Sequence, residues 1–317
     1  MKPDVLLTRA AAPAVVEALE ARFDLHRLWE ASDRDAFLAE VGPKIRGVAT
    51  DGGAGASAEL MAALPNLEIV AVNAVGLDAV DLAYAASRGI VVTNTPDVLT
   101  EDVADMALAL LLAAARELVA GDAHVRSGAW AARGNRPLTR RVNGKRAGIL
   151  GLGRIGRAVA RRLAAMNVQV AYHNRRPIES PYLYYPDAAT LARDVDFLIV
   201  TAAGGEGSRR LVDRDVLDAL GPDGVLVNVA RGSVVDESAL VDALREGRLG
   251  AAGLDVFEDE PNVPETLRTL PNVVLQPHHA SGTVETRAAM GELVVRNLEA
   301  HFAGRRPPTA VAAGAGA

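Results

Sequence analysis

Residues 146–156 read RAGILGLGRIG, a short apolar run closing on Gly151-Leu152-Gly153-Arg154-Ile155-Gly156. The spacing is G-x-G-x-x-G, a weak signal by itself in a chain with 29 glycines. Its context strengthens it. A strand (Ala147 to Leu150) precedes it, and a helix apolar at Ile155, Val159 and Leu163 follows. A second strand then begins near Val168, the order that a βαβ unit requires. Such glycines permit a tight turn and a close backbone approach to a pyrophosphate, which rests on the positive end of the helix.

The same alternation extends in both directions. Upstream, strand-like runs at Val5-Leu6-Leu7, Ile45 to Ala49, Glu68 to Val72 and Ile90 to Val92 are separated by short helical stretches. Downstream, strands are expected at Phe197 to Thr201, Val225 to Val229, Ala251 to Val256 and Val273 to Gln276. Apolar strands alternating with helices imply parallel sheets covered on both faces. Between the two series, a long helix is expected from Thr100 to about Val119, then a surface excursion from Gly121 to Asn143 holding Trp130. A final helix is expected over Val284 to Phe302, and the tail from Arg305 offers little to pack. The fold class is α/β, with two doubly wound parallel-sheet domains.

Composition narrows the function classes. The chain has 317 residues, about two domains at roughly 150 residues each. With 34 Lys+Arg against 40 Asp+Glu the net charge is −6, which argues against non-specific nucleic-acid binding. Zero cysteines exclude disulfides, thiolate metal sites and cysteine nucleophiles. The longest apolar run, Met106 to Ala115, falls well short of the ~18 residues a membrane span needs. No membrane or nucleic-acid partner is expected, and a cytoplasmic location is the default.

The end of the second strand of the βαβ unit selects the cofactor. An NAD site normally has an acidic residue there to accept from the ribose hydroxyls. This chain has His173-Asn174-Arg175-Arg176 instead, with no carboxylate before Glu179. Guanidinium groups cannot accept a hydrogen bond but can pair with a 2′-phosphate. The expectation is NADPH (NADP+) over NADH.

Three later strand ends carry polar residues where open α/β sheets bind ligands. These are Asn228-Val229-Ala230-Arg231-Gly232, Asp255 to Pro261, and Gln276 to Thr283, which includes His278 and His279. Hydride transfer to a ketone needs a proton donor at the carbonyl oxygen and a cation for the substrate's charge. Both residue types are present.

The chain resembles the D-isomer-specific 2-hydroxyacid dehydrogenases over nearly its whole length. The resemblance rests on NTPDVLTEDVADMAL (from Asn94), VNGKRAGILGLGRIG (from Val142), NVARGSVVDE (from Asn228), GLDVFEDEP (from Gly253) and LQPHHASGTVETRAAM (from Leu275). Within that family it is most similar to the glyoxylate and hydroxypyruvate reductases. The resemblance implies a Rossmann cofactor domain, residues 99–285, inserted into a flavodoxin-like substrate-binding domain of residues 1–98 and 286–317. It implies that Arg231 binds the 2-keto acid, that His278 is the general acid, and that Glu260 hydrogen-bonds the other ring nitrogen. Cofactor contacts are implied at Gly151, Leu152, Gly153, Arg154, Ile155, Gly156, Asn174, Arg175, Arg176, Thr201, Val229, Ala230 and Asp255.

Substrate contacts are implied at Ala74, Val75, Gly76, Arg231 and Ser281, and at Trp130 from a neighbouring subunit of a homodimer. No metal is implied. The stretch Ala202-Ala203-Gly204-Gly205 departs from the commoner family pattern, which ends in Pro-Leu-Thr. Alternatives are another substrate, such as 2-ketogluconate or an aromatic 2-keto acid, and a non-catalytic dinucleotide-sensing protein like the corepressors of this fold.

Overall fold

Polar side chains set where many helices begin: Asp33, Ser57, Asp81, Asp187, Asp213, Asp236 and Thr283 each accept from an amide of the first turn that follows. The computed structural model describes residues 2–311. In chain order it runs β1 (Asp4–Leu7), α1 (Pro13–Glu20), β2 (Asp24–Arg27), α2 (Arg34–Val41), β3 (Gly47–Asp51), α3 (Ala58–Ala62), β4 (Ile69–Asn73), α4 (Leu82–Ser87) and β5 (Val91–Thr93). Next come α5 (Thr100–Ala115), α6 (Leu118–Arg126), α7 (Ala129–Arg133), β6 (Arg146–Leu150), α8 (Arg154–Ala165), β7 (Gln169–His173), β8 (Leu183–Tyr185), α9 (Ala188–Asp194) and β9 (Phe197–Val200). The chain closes with α10 (Arg214–Leu220), β10 (Val225–Asn228), α11 (Glu237–Arg245), β11 (Ala251–Leu254), α12 (Glu265–Thr269), β12 (Val273–Leu275) and α13 (Val284–Phe302).

Two units result. One takes the chain up to Leu99 and from Gly282 onward; the other is Thr100–Ser281. The observed crossings lie one residue after the expected 98 and four before the expected 285. The second has a local cause. Thr283 caps α13, and Thr286 Oγ1 donates to Val98 O at 3.3 Å, so these residues are tied to the first unit.

The first unit is a parallel sheet in the order β2-β1-β3-β4-β5, the flavodoxin-like arrangement. One face buries Val5, Leu7, Ile69 and Ala71 against Val294, Val295 and Leu298 of α13. The other packs Leu6, Val48, Val70 and Val72 with Leu38, Val41, Leu60 and Met61. The second unit is a seven-stranded parallel sheet in the order β12-β11-β10-β9-β6-β7-β8. Its order reverses between β6 and β9, the switch point at which such sheets bind ligands beyond their carboxyl ends. Strands β9, β10 and β11 are buried throughout. Helix α5 can lie close to β11 because Gly253 has no side chain: a Cβ there would stand 2.9 Å from Leu110 Cβ.

Three expectations are corrected. The helix from Thr100 stops at Ala115 rather than Val119, because a returning segment takes up its end: Arg140 N donates to Ala115 O at 3.2 Å. Arg116 Nε reaches Thr139 Oγ1 at 2.9 Å, and Glu117 turns left-handed at φ +48° to pair with Arg136. The region 121–143 is not all excursion, since it holds most of α6 and all of α7. The tail from Arg305 is also anchored as far as Val311. Pro307 is buried, Ala310 bridges Thr93 antiparallel, and Val311 N donates to Val92 O at 2.8 Å. The open edge of β5 supplies backbone partners that apolar patterning does not reveal.

Candidate active site

The turn from Gly151 to Gly156 is built from backbone fit. Gly151 sits at φ +96°, and a Cβ there would be 2.5 Å from Ala202 Cα. A Cβ on Gly156 would be 2.4 Å from Gly151 O, so these two positions admit no side chain. Thr201 Oγ1 donates to Gly151 O at 2.8 Å, joining the turns after β6 and β9 at the switch point. Gly153 differs. A Cβ added to it would meet nothing within 4 Å. It is the N-cap of α8, with no side-chain cap and no acidic residue in the first turn. The positive helix end is therefore left for an outside anion, which fits the phosphates of a dinucleotide.

Asn174 acts on this turn as a strut, its Oδ1 accepting from Leu152 N at 2.7 Å. Arg175 and Arg176 are exposed. Arg175 Nη1 stands 3.6 Å from where a Cβ on Gly207 would be, which places it beside the turn after β9. Arg154 opens α8 and Ile155 follows it; Val229 and Ala230 are buried at the end of β10.

The other strand ends bring together the residues expected to do chemistry. His278 Nδ1 is 2.7 Å from Glu260 Oε2, and Glu260 Oε1 accepts from Phe257 N at 3.0 Å. Burial pushes the Glu260 carboxyl up, but its hydrogen bonds from His278 and Phe257 and the charges of His278 and Arg231 outweigh it; the group is held below its ordinary value. Arg231 is half-buried, with Nη1 donating to Ala230 O at 2.6 Å.

Asp255 organises the histidine loop. It is 1% exposed; its carbonyl accepts from His278 N at 2.8 Å, Oδ1 from His279 N at 2.7 Å and Oδ2 from Ala280 N at 3.0 Å. Burial raises its carboxyl above the ordinary range, against the lowering effect of those amides. His278 itself is held at φ +51°.

In the first unit, the loop after β4 has an equally definite backbone. Thr95 N donates to Ala74 O at 2.8 Å and Asn94 Nδ2 to Val75 O at 2.9 Å. In a trans peptide the carbonyl and the next N–H point oppositely, so the amides of Val75 and Gly76 turn away from these partners. Elsewhere the expected residues are less tied. Ser281 is half-buried, three residues past His278. Trp130, on α7, is 55% exposed, its indole N–H donating to Asn135 Oδ1 at 2.9 Å, and nothing among the described residues brings it to the His278–Glu260 pair.

A family model described as D-isomer specific 2-hydroxyacid dehydrogenase, NAD binding domain, matches residues 108–280. The chain belongs to that family. Among related 2-hydroxyacid dehydrogenases, a glyoxylate/hydroxypyruvate reductase of Arabidopsis thaliana is 52% identical, over 90% of this chain and 92% of its own. A 2-ketogluconate reductase of Gluconobacter oxydans is 48% identical, over 95% and 96%. The structure of an NADPH-dependent glyoxylate/hydroxypyruvate reductase from Sinorhizobium meliloti, in complex with NADP and malonate, superposes with a TM-score of 0.94. It is 48% identical and covers 99% of this chain and 98% of that one. The protein is thus an NAD(P)-dependent oxidoreductase.

Sequence reading missed several residues that shape this dehydrogenase site. Asn228, 1% exposed, bridges the turn that carries Arg231: Oδ1 accepts from Ala230 N at 3.0 Å and Nδ2 donates to Arg231 O at 2.9 Å. Gly232 lies so close to the Phe257–Glu258 backbone that a Cβ would be 1.9 Å from Phe257 C. Glu237 accepts from Glu258 N at 3.0 Å and so steadies the turn leading to Glu260. A polar residue ending a wholly buried strand was the available signal for Asn228. No local signal existed for Gly232 or Glu237, because both act on a segment distant in sequence.

Proposed function

We propose that this dehydrogenase reduces small 2-keto acids, glyoxylate and hydroxypyruvate foremost, to 2-hydroxy acids with NADPH as reductant. The observation that carries the reading is the His278–Glu260 pair, 2.7 Å apart and packed through Gly232 against the turn bearing Arg231. An ionised carboxylate only accepts, so Glu260 fixes a hydrogen on Nδ1 of His278. The protonated ring then holds its second proton on Nε2 for delivery to the substrate's carbonyl oxygen. Arg231 binds and orients the substrate's carboxylate, while the amides of Val75 and Gly76 offer donors to the same kind of group. Bound reduced cofactor supplies the hydride. Its pyrophosphate would rest on the turn from Gly151 to Gly156, held by Thr201 and Asn174, and its 2′-phosphate would pair with Arg175 and Arg176.

The names of the relatives support the substrate class, and the Sinorhizobium complex with NADP supports the cofactor. The 2-ketogluconate reductase supports a larger keto acid as the alternative substrate. We further propose a cytoplasmic homodimer in which a second copy covers Leu118, Val119 and Val125 of α6 and Trp130 of α7, each more than half exposed. Purified protein should oxidise NADPH when glyoxylate or hydroxypyruvate is added. Absence of turnover with every small 2-keto acid would instead favour a dinucleotide-sensing binding protein.

A further inference from the structure

The anchored tail connects to the loop after β4 through an unbroken set of hydrogen bonds. Asn297 of α13 is fully buried, and its amide grips Thr309 twice: Nδ2 donates to Thr309 Oγ1 at 2.8 Å, and Oδ1 accepts from Thr309 N at 3.1 Å. With Oγ1 accepting from Asn297, the Thr309 hydroxyl donates onward to Asn94 O at 2.7 Å. Asn94 Nδ2 in turn donates to Val75 O at 2.9 Å, and the adjoining Thr95 N to Ala74 O at 2.8 Å. Asn297 lies within α13 and Thr309 adjoins the Thr93–Ala310 bridge, so both are fixed independently of the loop after β4.

The two carbonyls held by this relay are those whose peptide planes carry the amides of Val75 and Gly76. Because a peptide is planar, fixing Ala74 O and Val75 O fixes the direction of the next two N–H groups. A loop whose carbonyls were free would let both planes rotate, and its donors would have to be ordered when a ligand arrives. Such ordering weakens binding by the entropy lost at that moment.

We infer that Thr309, a residue of the C-terminal tail, is a positioning residue for substrate binding: through Asn94 it pre-orients the Val75 and Gly76 amides toward the carboxylate of the 2-keto acid. The inference rests on the proposal that this loop binds that carboxylate. It gives the tail a part in the site although Thr309 touches no substrate.

Hydrogen exchange on the full chain separates the two ideas. In wild type with NADP+, malonate should slow exchange of the Val75 and Gly76 amides. Thr309→Val should speed exchange of those amides in the free protein, leave β4 unchanged, and raise the KM for glyoxylate about five-fold, the effect of one lost neutral hydrogen bond. The kcat and the KM for NADPH should stay within about two-fold, and Thr309→Ser should restore wild-type values because the hydroxyl alone carries the relay. Malonate protection in wild type, with loop exchange and KM unaltered in Thr309→Val, would overturn the relay while leaving the loop's role standing. Malonate that protects other amides but not Val75 and Gly76 would overturn the loop's role, and the relay's function with it.

Discussion

Glu260 and Asp255 are two carboxyls near one histidine, and their surroundings shift them in opposite directions. Glu260 is held below 4.5 and Asp255 above 3.8, although burial pushes both upward. Both accept from main-chain amides and both feel the His278 charge. Glu260 also takes a hydrogen bond from the His278 ring and feels the charge of Arg231, whereas Asp255 is opposed by the nearby charge of Glu260. A carboxyl lowered in the native state adds stability above its unfolded value and loses it as pH falls through the native one. The melting-temperature gap between wild type and Glu260→Gln should therefore be full at neutral pH and shrink below pH 4.5; a gap that stays constant to pH 3 would count against the ion pair. The basic pair makes a second residue-scale prediction. Arg175→Ser with Arg176→Ser should cut the NADPH-over-NADH ratio of kcat/KM about ten-fold or more, the worth of a charge-assisted hydrogen bond. An unchanged ratio would leave them as surface charges. Sequence made these groups visible because Arg231, Glu260 and His278 fall past apolar strands, at the ends where open α/β sheets bind ligands. It could not show that both Asp255 oxygens are engaged by the histidine loop, since that depends on a segment more than twenty residues away.

At the level of elements, most strands were plain from apolar runs, though β8 was not among them, and α13 begins and ends where its pattern predicts. The failures share one cause. The end of α5 is set by Arg140 and Arg136 returning over it, β8 is a three-residue edge strand, and the tail is held by backbone pairing with β5. Each is decided by tertiary partners rather than by local propensity or periodicity. Contact between the turn at Gly232 and the Phe257–Glu258 backbone is the element-scale feature on which the site depends. Gly232→Ala forces these apart and should destabilise the fold by about 1–3 kcal/mol, the range for overpacking. Activity should fall further than stability explains, because Arg231 and Glu260 ride on the two displaced segments. Thermal melts and kcat/KM on the folded fraction would check this; wild-type activity in folded Gly232→Ala would show that the packing does not position them.

Across the whole molecule, one chain builds two parallel-sheet units by inserting the second into the first. Only resemblance, not patterning, made that insertion legible, because alternating strands and helices look alike in consecutive and interleaved domains. The chemistry proposed for the intact protein is proton delivery by His278, oriented by Glu260. The most direct test is to compare NADPH oxidation by wild type and His278→Ala with saturating hydroxypyruvate and glyoxylate. Wild type should turn over both, and the variant should retain its fold and NADPH affinity but lose about 10²–10⁴ in kcat. A folded His278→Ala protein with near-full kcat would contradict the account.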